Sequence, residues 1–306
     1  MQPTEQGWRH MFAPLAVPAV VIAEDPELLA TARAAYADWM AEAPVDSPAI
    51  EIRLDVGSAP SDKVGFRIAV EGSRLTLAGD GIAGQADSAT GRAQCLVPRR
   101  LVGDPAGLAA EVTDTLLLFL LARSGRTPLH AAGVVIGDRL LILAGPSGSG
   151  KSTLAYAASR RGLPILSDDT LYVQLEPRFR VWGWPRPIHL LPEDAPADAR
   201  DTRLRAGRLK AIVPLPGSDT GARFAEEASL VLLERGDRLA ITPVDEASAV
   251  AGLSKLEAGF ELLAAESATA VRALARGGAW RLTLDRDPGA AIELLHRHFA
   301  ARPREP

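Results

Sequence analysis

Cysteine is nearly absent from this sequence: Cys95 is the only one in 306 residues. A single thiol cannot form an intramolecular disulfide, which excludes the disulfide-stapled class of small secreted domains and fits a reducing compartment. The N-terminal segment also lacks a basic stretch that leads into an uninterrupted apolar core, so no signal peptide is predicted. We therefore expect a cytoplasmic protein.

Long apolar runs and an excess of positive charge are missing as well. The longest run, TLLLFLLA at Thr115–Ala122, is far shorter than the roughly 20 residues that cross a bilayer, so it predicts a core helix and no membrane span. The formal net charge is −4, which gives no basic field for nucleic acid. With 47% hydrophobic residues, the chain can bury one large core or two ordinary ones. The composition predicts a soluble globular protein without a nucleic-acid partner.

The first third of the sequence is typical of short strands around one helix. Asp25 is a predicted N-cap, with Pro26 at the first helical position. Two runs of alternating residues flank Gly72-Ser73, which predicts a hairpin. No catalytic motif occurs in this part. The sequence predicts an N-terminal α+β domain over 1–106, with a role in substrate recognition, and a second domain over 107–306 that begins with an apolar helix.

Two apolar strands lie within PLHAAGVVIGDRLLILAG, and Gly137-Asp138 joins them. A glycine in the first position suits a two-residue hairpin with a type II′ turn. In such a hairpin Ile136 faces Arg139, so facing residue numbers sum to 275 and His130 lies opposite Gly145. The sequence therefore predicts an antiparallel neighbour for the second strand, and a histidine at the mouth of the loop that follows it.

That loop, GPSGSGKS, fits the G-x-x-x-x-G-K-[ST] pattern without a deviation. An apolar strand leads in and a helix leads out, the setting in which backbone N–H groups and the helix dipole face phosphate oxygens. Lys151 would place its charge on the β and γ phosphates, and the Ser152 hydroxyl would ligate Mg²⁺. The predicted nucleotide-binding residues are Gly145, Pro146, Ser147, Gly148, Ser149, Gly150, Lys151, Ser152 and Thr153.

Asp168-Asp169 forms a second candidate site element at the end of an apolar strand, PILS. Two neighbouring carboxylates repel each other and are costly to desolvate unless a cation or hydrogen-bond donors compensate them. One carboxylate could hold a metal ion while the other accepts a proton from an attacking hydroxyl. The alternative is a solvated turn in which an aspartate caps the next segment.

Further candidates have less specific signals. His130 is either a structural histidine or a group that contacts phosphate or acts in acid/base chemistry. Arg186, in GWPRPIHL, could stabilise transition-state charge, and Lys210 could reach a phosphate from beyond the loop. The charged stretch Glu193–Arg208 has no clear periodicity and predicts a surface loop.

The stretch LHAAGVVIGDRLLILAGPSGSGKSTLAYAASRRGLPILSDD resembles the catalytic core of bacterial HPr kinase/phosphorylase and its broader relatives, the HPr-kinase-related proteins. The likeness covers about residues 110–300 and is densest over Leu129–Tyr172. It implies an α/β fold whose P-loop core is of the phosphoenolpyruvate-carboxykinase/HPr kinase type, with a mixed sheet. It also implies a serine kinase that uses ATP and Mg²⁺.

The resemblance carries roles onto residues of this sequence. Lys151 and Ser152 match residues that contact the nucleotide. His130 matches the catalytic histidine of the family. Asp168 and Asp169 match its acidic pair. The resemblance therefore implies that Asp168 is the base and that Ser152 and Asp169 hold the metal.

Two departures separate the chain from the true HPr enzymes. VWGWPRPIHL occupies the place of their Glu-Ile-Arg-Gly signature without a glutamate, and the first half does not resemble their N-terminal domain. Neither phosphorylase activity nor HPr as the substrate is carried over. PRP and LHAAGV are closer to the branch that includes kinases of lasso-peptide precursors, which implies a serine hydroxyl of a peptide or protein as acceptor. The HPr enzymes are hexamers, but for this chain a homo-oligomer is left open without a stoichiometry.

Two other functions stay open at this point. One is a small-molecule kinase that acts on free serine or a metabolite, and the other is a nucleotide-dependent regulatory or binding module with slow or absent transfer. A radiolabel screen of small hydroxyl compounds and peptides distinguishes a small-molecule kinase from a peptide or protein kinase. Detection of phosphorylated acceptor, rather than ATP binding alone, distinguishes either kinase from a regulatory module. A transport ATPase is not predicted, because no LSGGQ-like segment occurs and the acidic pair follows Lys151 by only 17 residues.

Overall fold

The computed structural model describes residues 8–39, 48–59, 66–184, 186–196, 199, 201–205, 208–214, 224–256 and 264–300. The chain divides into two compact units, Met1–Arg126 and Thr127–Pro306. Both units combine helices with mixed β-sheets, so the protein belongs to the α/β class, as predicted.

The first unit is built on one mixed sheet. Its strands are β1 (Trp8–Phe12), β2 (Ala19–Ala23), β3 (Ile50–Val56), β4 (Arg67–Glu71), β5 (Arg74–Gly79), β6 (Ile82–Asp87) and β7 (Arg92–Val97). They are arranged in the order β1-β2-β3-β7-β6-β5-β4, in which β2, β3 and β7 are parallel neighbours. Helix α1 (Pro26–Ala35) packs on this sheet through Leu28, Leu29 and Ala32, which are buried.

Two predictions for the first unit are confirmed. Asp25 is the N-cap of α1, and its Oδ1 accepts hydrogen bonds from the N–H groups of Glu27 and Leu28. The predicted hairpin joins β4 to β5, with Glu71 opposite Arg74. Both follow from local sequence, because capping and tight turns depend on neighbouring residues only.

A continuous helical segment follows β7 in the first unit. It consists of α2 (Pro105–Leu108), a π-helical turn (Ala109–Thr113) and α3 (Asp114–Arg123). The segment is long and apolar enough to meet a membrane-span criterion, yet 56% of that stretch is buried inside the protein, as in a core helix. Because α3 packs against β6, the division between the units falls after residue 126, whereas the sequence predicted it after residue 106.

The described residues of the second unit form three sheets. Its strands are β8 (Thr127–Leu129), β9 (Ala131–Ile136), β10 (Arg139–Ala144), β11 (Ile165–Ser167), β12 (Leu171–Gln174), β13 (Arg180–Gly183), β14 (Ile188–Leu190), β15 (Thr202–Arg205), β16 (Arg208–Val213), β17 (Phe224–Ala225), β18 (Ala228–Arg235), β19 (Ala240–Val244) and β20 (Ala279–Leu284). The sheet orders are β11-β9-β10-β18-β20-β19, β17-β13-β12-β8 and β14-β16-β15. In the six-stranded sheet, β10, β18 and β20 are parallel.

Apolar side chains cover both faces of the six-stranded sheet. Helices α4 (Lys151–Ser159) and α7 (Pro288–Ala300) pack on one face, where Leu154 and Leu295 belong to one buried cluster. Helices α5 (Glu246–Leu256) and α6 (Ala264–Arg276) and the four-stranded sheet contribute to the cluster on the other face. Burial on both sides explains why β10 is an almost continuous apolar run.

The predicted register of the β9–β10 hairpin is confirmed. Ile136 lies opposite Arg139, and the pairing continues without a bulge to Ala131 opposite Ala144. The surface loop predicted over Glu193–Arg208 was wrong in its last part. Strands β15 and β16 pair there, with Leu204 opposite Leu209. Charged residues alternate with leucine in both strands, but this period of two extends over only a few residues and is inconspicuous inside a charged segment.

Candidate functional site

The glycine-rich loop connects β10 to α4 at the carboxyl edge of the six-stranded sheet. Gly148 and Gly150 adopt φ values of +83° and +109°, in the region that favours glycine. A Cβ at Gly145 would lie 2.5 Å from Ser149 Oγ, so the loop also folds tightly on itself. The N-cap residue of α4, Gly150, has no side chain, and no other side chain in the described ranges caps this helix. The loop therefore leads into a helix whose first N–H groups are not satisfied by a capping side chain from the described residues.

Lys151 is held against this loop. Its side chain is buried, and Nζ donates to the carbonyl oxygens of Gly145 at 2.7 Å and Pro146 at 3.4 Å. A buried ammonium group is stable only with such acceptors. The positive charge is thus fixed beside the same turn whose N–H groups can face an anion.

Two short connections between the four-stranded and the six-stranded sheet lie next to each other. His130 joins β8 of the four-stranded sheet to β9 of the six-stranded sheet, and Asp168–Thr170 joins β11 to β12 in the opposite sense. Leu129 pairs with Leu171 on one side of this crossing, and Gly133 with Ser167 on the other. The two short connections are therefore side by side, which brings His130 and the acidic pair together.

Close backbone approach tightens the crossing. A Cβ at Gly183 would overlap the carbonyl oxygen of Leu166, so only glycine fits there. The Ser167 hydroxyl donates to the carbonyl oxygen of Trp184 at 3.1 Å. These contacts fix the strand end immediately before Asp168.

His130 and Asp169 form the outer part of the site. His130 Nδ1 lies 3.7 Å from Asp169 Oδ1, and the two side chains are 37% and 44% exposed. Solvent screens a pair at this exposure, so its contribution to stability is small. Both groups are accessible to a ligand.

Asp168 forms the inner part, with only 3% of the residue exposed. Its Oδ2 accepts a hydrogen bond from the backbone N–H of His189 at 3.0 Å. Burial raises the pKa of Asp168 to about 6, and the charge of Asp169 adds to the rise, while hydrogen bonding by the His189 amide and Ser152 hydroxyl and the charge of Lys210 lower it. A buried carboxylate thus lies beside the first turn of α4.

Two buried oxygen atoms at this edge have no hydrogen bond of normal geometry within the described ranges: Asp168 Oδ1 and Ser149 Oγ. Buried polar atoms are nearly always paired in folded proteins, because desolvation without a partner costs about 1–3 kcal/mol. One of these oxygens belongs to the glycine-rich loop and the other to the acidic pair.

The remaining predicted residues have other positions. The guanidinium carbon of Arg186 lies 5.7 Å from the Trp184 ring centroid. Thr153 Oγ1 donates to Asp194 Oδ2 at 3.1 Å, on the opposite flank of α4 from the acidic pair. Lys210 is on β16, close enough to Asp168 to affect its pKa.

Sequence reasoning missed two groups that bear on the site. The backbone N–H of His189 reaches Asp168 because α4 and β14 are in contact, and an amide group gives no signal in a sequence. Asp194 is the last residue of a short 3-10 helix, Pro192–Asp194, inside a charged segment where a single aspartate is inconspicuous.

Comparisons with known proteins give a distant result. No family model matches the chain, and no curated protein matches it. Among solved structures, the chain is similar to the HPr(Ser) kinase/phosphatase from Coxiella burnetii, with 16% identity and a TM-score of 0.31. The match covers 56% of this chain and 95% of that one. A likeness of this size indicates a distant structural relationship and assigns neither function nor substrate.

Proposed function

We propose that the second unit is an ATP- and Mg²⁺-dependent kinase that phosphorylates a serine hydroxyl of a peptide or protein, through a P-loop core of the HPr-kinase-related type. The observation that supports it most is Asp168: a buried carboxylate beside the residue that follows Lys151 in a glycine-rich loop, with one oxygen that has no hydrogen bond of normal geometry within the described ranges. Structural carboxylates are normally paired, so this one fits a catalytic role better.

The loop and α4 would hold the phosphates. Backbone N–H groups and the uncapped helix N-terminus favour an anion, and Lys151 adds a full charge within reach of the loop. Replacing its bonds to Gly145 and Pro146 by bonds to phosphate oxygens exchanges neutral acceptors for charged ones, which are stronger.

The residues present fit Mg²⁺. This ion prefers oxygen ligands, keeps several waters and needs only one or two protein groups beside the phosphates. Ser152 and Asp169 would hold it, and the unpaired oxygens of Asp168 and Ser149 fit a site that is completed by a cation and phosphates. When bound, the ion neutralises negative charge on the transferred group.

Asp168 would act as the base. With a pKa of about 6 it is ionised at neutral pH and close to the pH of operation, as a proton acceptor should be. The acceptor oxygen bonds to the γ-phosphorus as the bond to the bridging oxygen breaks, the hydroxyl proton passes to Asp168, and ADP leaves. His130 would contact the phosphate next to Asp169, and Arg186 would stabilise transition-state charge.

The acceptor is tested directly. Full-length protein is incubated with γ-³²P-labelled ATP and Mg²⁺, together with serine-containing peptides, the same peptides with alanine for serine, or free serine. We expect label only on serine peptides. Label on free serine alone would support a small-molecule kinase, and ATP binding without any labelled product would support a regulatory module. Acceptor recognition by the first unit stays a prediction.

Lys151→Ala tests the contribution of the glycine-rich loop to transfer. We expect transfer to fall by about 10²–10³-fold, because the lysine stabilises charge that develops in the transition state. Circular dichroism and the melting temperature show whether the fold is kept. Transfer at the wild-type rate by a folded Lys151→Ala protein would remove the glycine loop from the proposal.

A further inference from the structure

Strand β4 lies at one edge of the sheet in the first unit and has no buried residue. It pairs with β5 on one side, and no strand in the described ranges pairs with its other side. By contrast, β1 at the opposite edge has two buried residues out of five. We propose that β4 is a homodimer interface, at which it pairs in the antiparallel direction with β4 of a second copy of this chain. The inference concerns the first unit and does not rest on the proposed function.

The outer edge of β4 is suited to strand pairing. An edge strand presents backbone N–H and C=O groups, and natural proteins commonly block such an edge with proline, lysine or a bulge. The sequence of β4, RIAVE, contains neither proline nor lysine, and its register with β5 continues over all five residues without a bulge. Ile68 is 46% exposed, and Phe66, just before the strand, is 44% exposed. A strand paired with β4 would cover part of this apolar surface.

The sequence of β4 is complementary to itself in the antiparallel direction. When Ala69 faces Ala69 of the second copy, Arg67 faces Glu71 of that copy, and Ile68 faces its Val70. The reciprocal contacts form at the same time, as in every isologous interface. Opposite charges and apolar pairs directly across two strands stabilise a sheet, whereas like charges in that position destabilise it. The strand therefore matches a second copy in both charge and apolar character.

This alignment also keeps the two faces of the sheet continuous. Ile68 and Val70 lie opposite Leu77 and Leu75 of β5, and both leucines are buried. Directly facing residues share one face of a sheet. The apolar residues of the second copy therefore extend the core side of the sheet, and its charged residues extend the other side.

On that other side, a row of alternating charges ends at β4. The row crosses five neighbouring strands in register and consists, in order, of Glu51, Arg92, Asp87, Arg74 and Glu71. Within it, Arg92 Nε lies 3.9 Å from Glu51 Oε1, and Arg74 Nε lies 3.8 Å from Asp87 Oδ2. Each exposed pair contributes little by itself. The order of signs nevertheless requires a positive charge after Glu71, and Arg67 of the second copy supplies it.

Sedimentation equilibrium of the full-length protein at several concentrations tests the interface. We expect a reversible dimer for the wild type. Arg67→Glu and Glu71→Arg should each weaken it at least about tenfold, because each substitution creates two like-charged pairs between the copies. A mixture of the two variants should form a heterodimer about as tightly as the wild type, because both pairs then have opposite charges. Formation of this heterodimer also shows that the single variants are folded.

Arg9→Glu is the matched control, because it reverses an exposed arginine on β1, the opposite edge strand of the same sheet. It should leave the dimer unchanged. Hydrogen exchange of the wild type adds a measurement that needs no variant. Protection of the β4 amides should rise with protein concentration, whereas protection of the β1 amides should not.

Four results would overturn the proposal: a wild type that is monomeric at all concentrations, a dimer that neither β4 reversal weakens, a mixture without heterodimer, or an equal loss with Arg9→Glu. A monomer whose β4 amides become protected on addition of an extended serine peptide would assign this edge to a peptide and would also overturn the second copy. The kinase proposal is tested separately by label transfer, so none of these results decides it.

Discussion

In both units a helix begins after a parallel strand, but the two helix N-termini differ in whether a side chain caps them. Each has three parallel strands in a mixed sheet, and in each a helix starts beyond the carboxyl end of one of them. In the first unit, Asp25 caps α1, and Arg99, just after β7, donates to Asp25 Oδ2 at 2.8 Å. In the second unit, α4 follows Gly150, and no side chain caps it.

The contrast separates a structural edge from the edge that we propose binds phosphate, here called the binding edge. A carboxylate at a helix N-terminus satisfies N–H groups that otherwise have no intrahelical partner. The first unit provides this carboxylate from its own chain, whereas in the second unit the N-cap residue, Gly150, has no side chain that could do so. A phosphate on the loop would do for α4 what Asp25 does for α1.

The same comparison holds for aspartate chemistry. Hydrogen bonds from the N–H groups of Leu28 and Glu27 hold the pKa of Asp25 below its usual value. Burial raises the pKa of Asp168 instead. The pKa of one residue type thus falls where hydrogen-bond donors surround the carboxylate and rises where desolvation dominates, as the proposed base role of Asp168 requires.

The largest expected effect is on catalysis. Asp168→Asn keeps the shape of the side chain but cannot accept the proton, so transfer should fall by about 10²–10⁴-fold while ADP binding is retained. Transfer is measured as initial rates with the acceptor found in the label screen, and ADP binding is measured by titration. Asp237→Asn, in an exposed turn, is the control. Equal rates for Asp168→Asn and wild type would remove Asp168 from the base role.

An intermediate effect concerns stability and pH. Because the folded-state pKa of Asp168 is raised to about 6 from 3.8, ionisation opposes folding, and the wild type loses stability as pH rises from about 4 through 6. Asp168→Asn should not show this loss. Its free energy of unfolding should exceed that of the wild type by roughly 3 kcal/mol at pH 7.5, with little difference at pH 4. Urea unfolding without nucleotide or Mg²⁺ checks it. Parallel pH curves for the two proteins would contradict the burial of this carboxylate.

The smallest effect tests the first unit. Asp25→Ala should lower the free energy of unfolding by about 1 kcal/mol through loss of the cap, without changing phosphoryl transfer. Hydrogen exchange of the α1 amides measures the local loss, and Asp25→Asn, which keeps a capping oxygen, should restore most of it. A fall in transfer with Asp25→Ala would contradict the division into a structural and a binding edge.

Several features were predictable because they depend on near neighbours in the chain. The cap at Asp25, the hairpin after Ile136 and the glycine loop before Lys151 all follow from short patterns with a local physical cause. The predicted boundary between the parts differed from the structure because helix α3 reads equally well as the end of one unit or the beginning of the next. Only the contact of α3 with β6 assigns this helix to the first unit.

By itself, the sequence determined a glycine-rich loop on a strand with an antiparallel neighbour, and it supplied histidine and paired aspartates as candidates. The tertiary structure decided which carboxylate is buried. Asp168 and Asp169 are adjacent in sequence, yet packing against β14 encloses one, and the other stays partly exposed beside His130. Desolvation depends on atoms that are distant in the chain, so no local pattern could show that one of these two aspartates is buried and the other exposed.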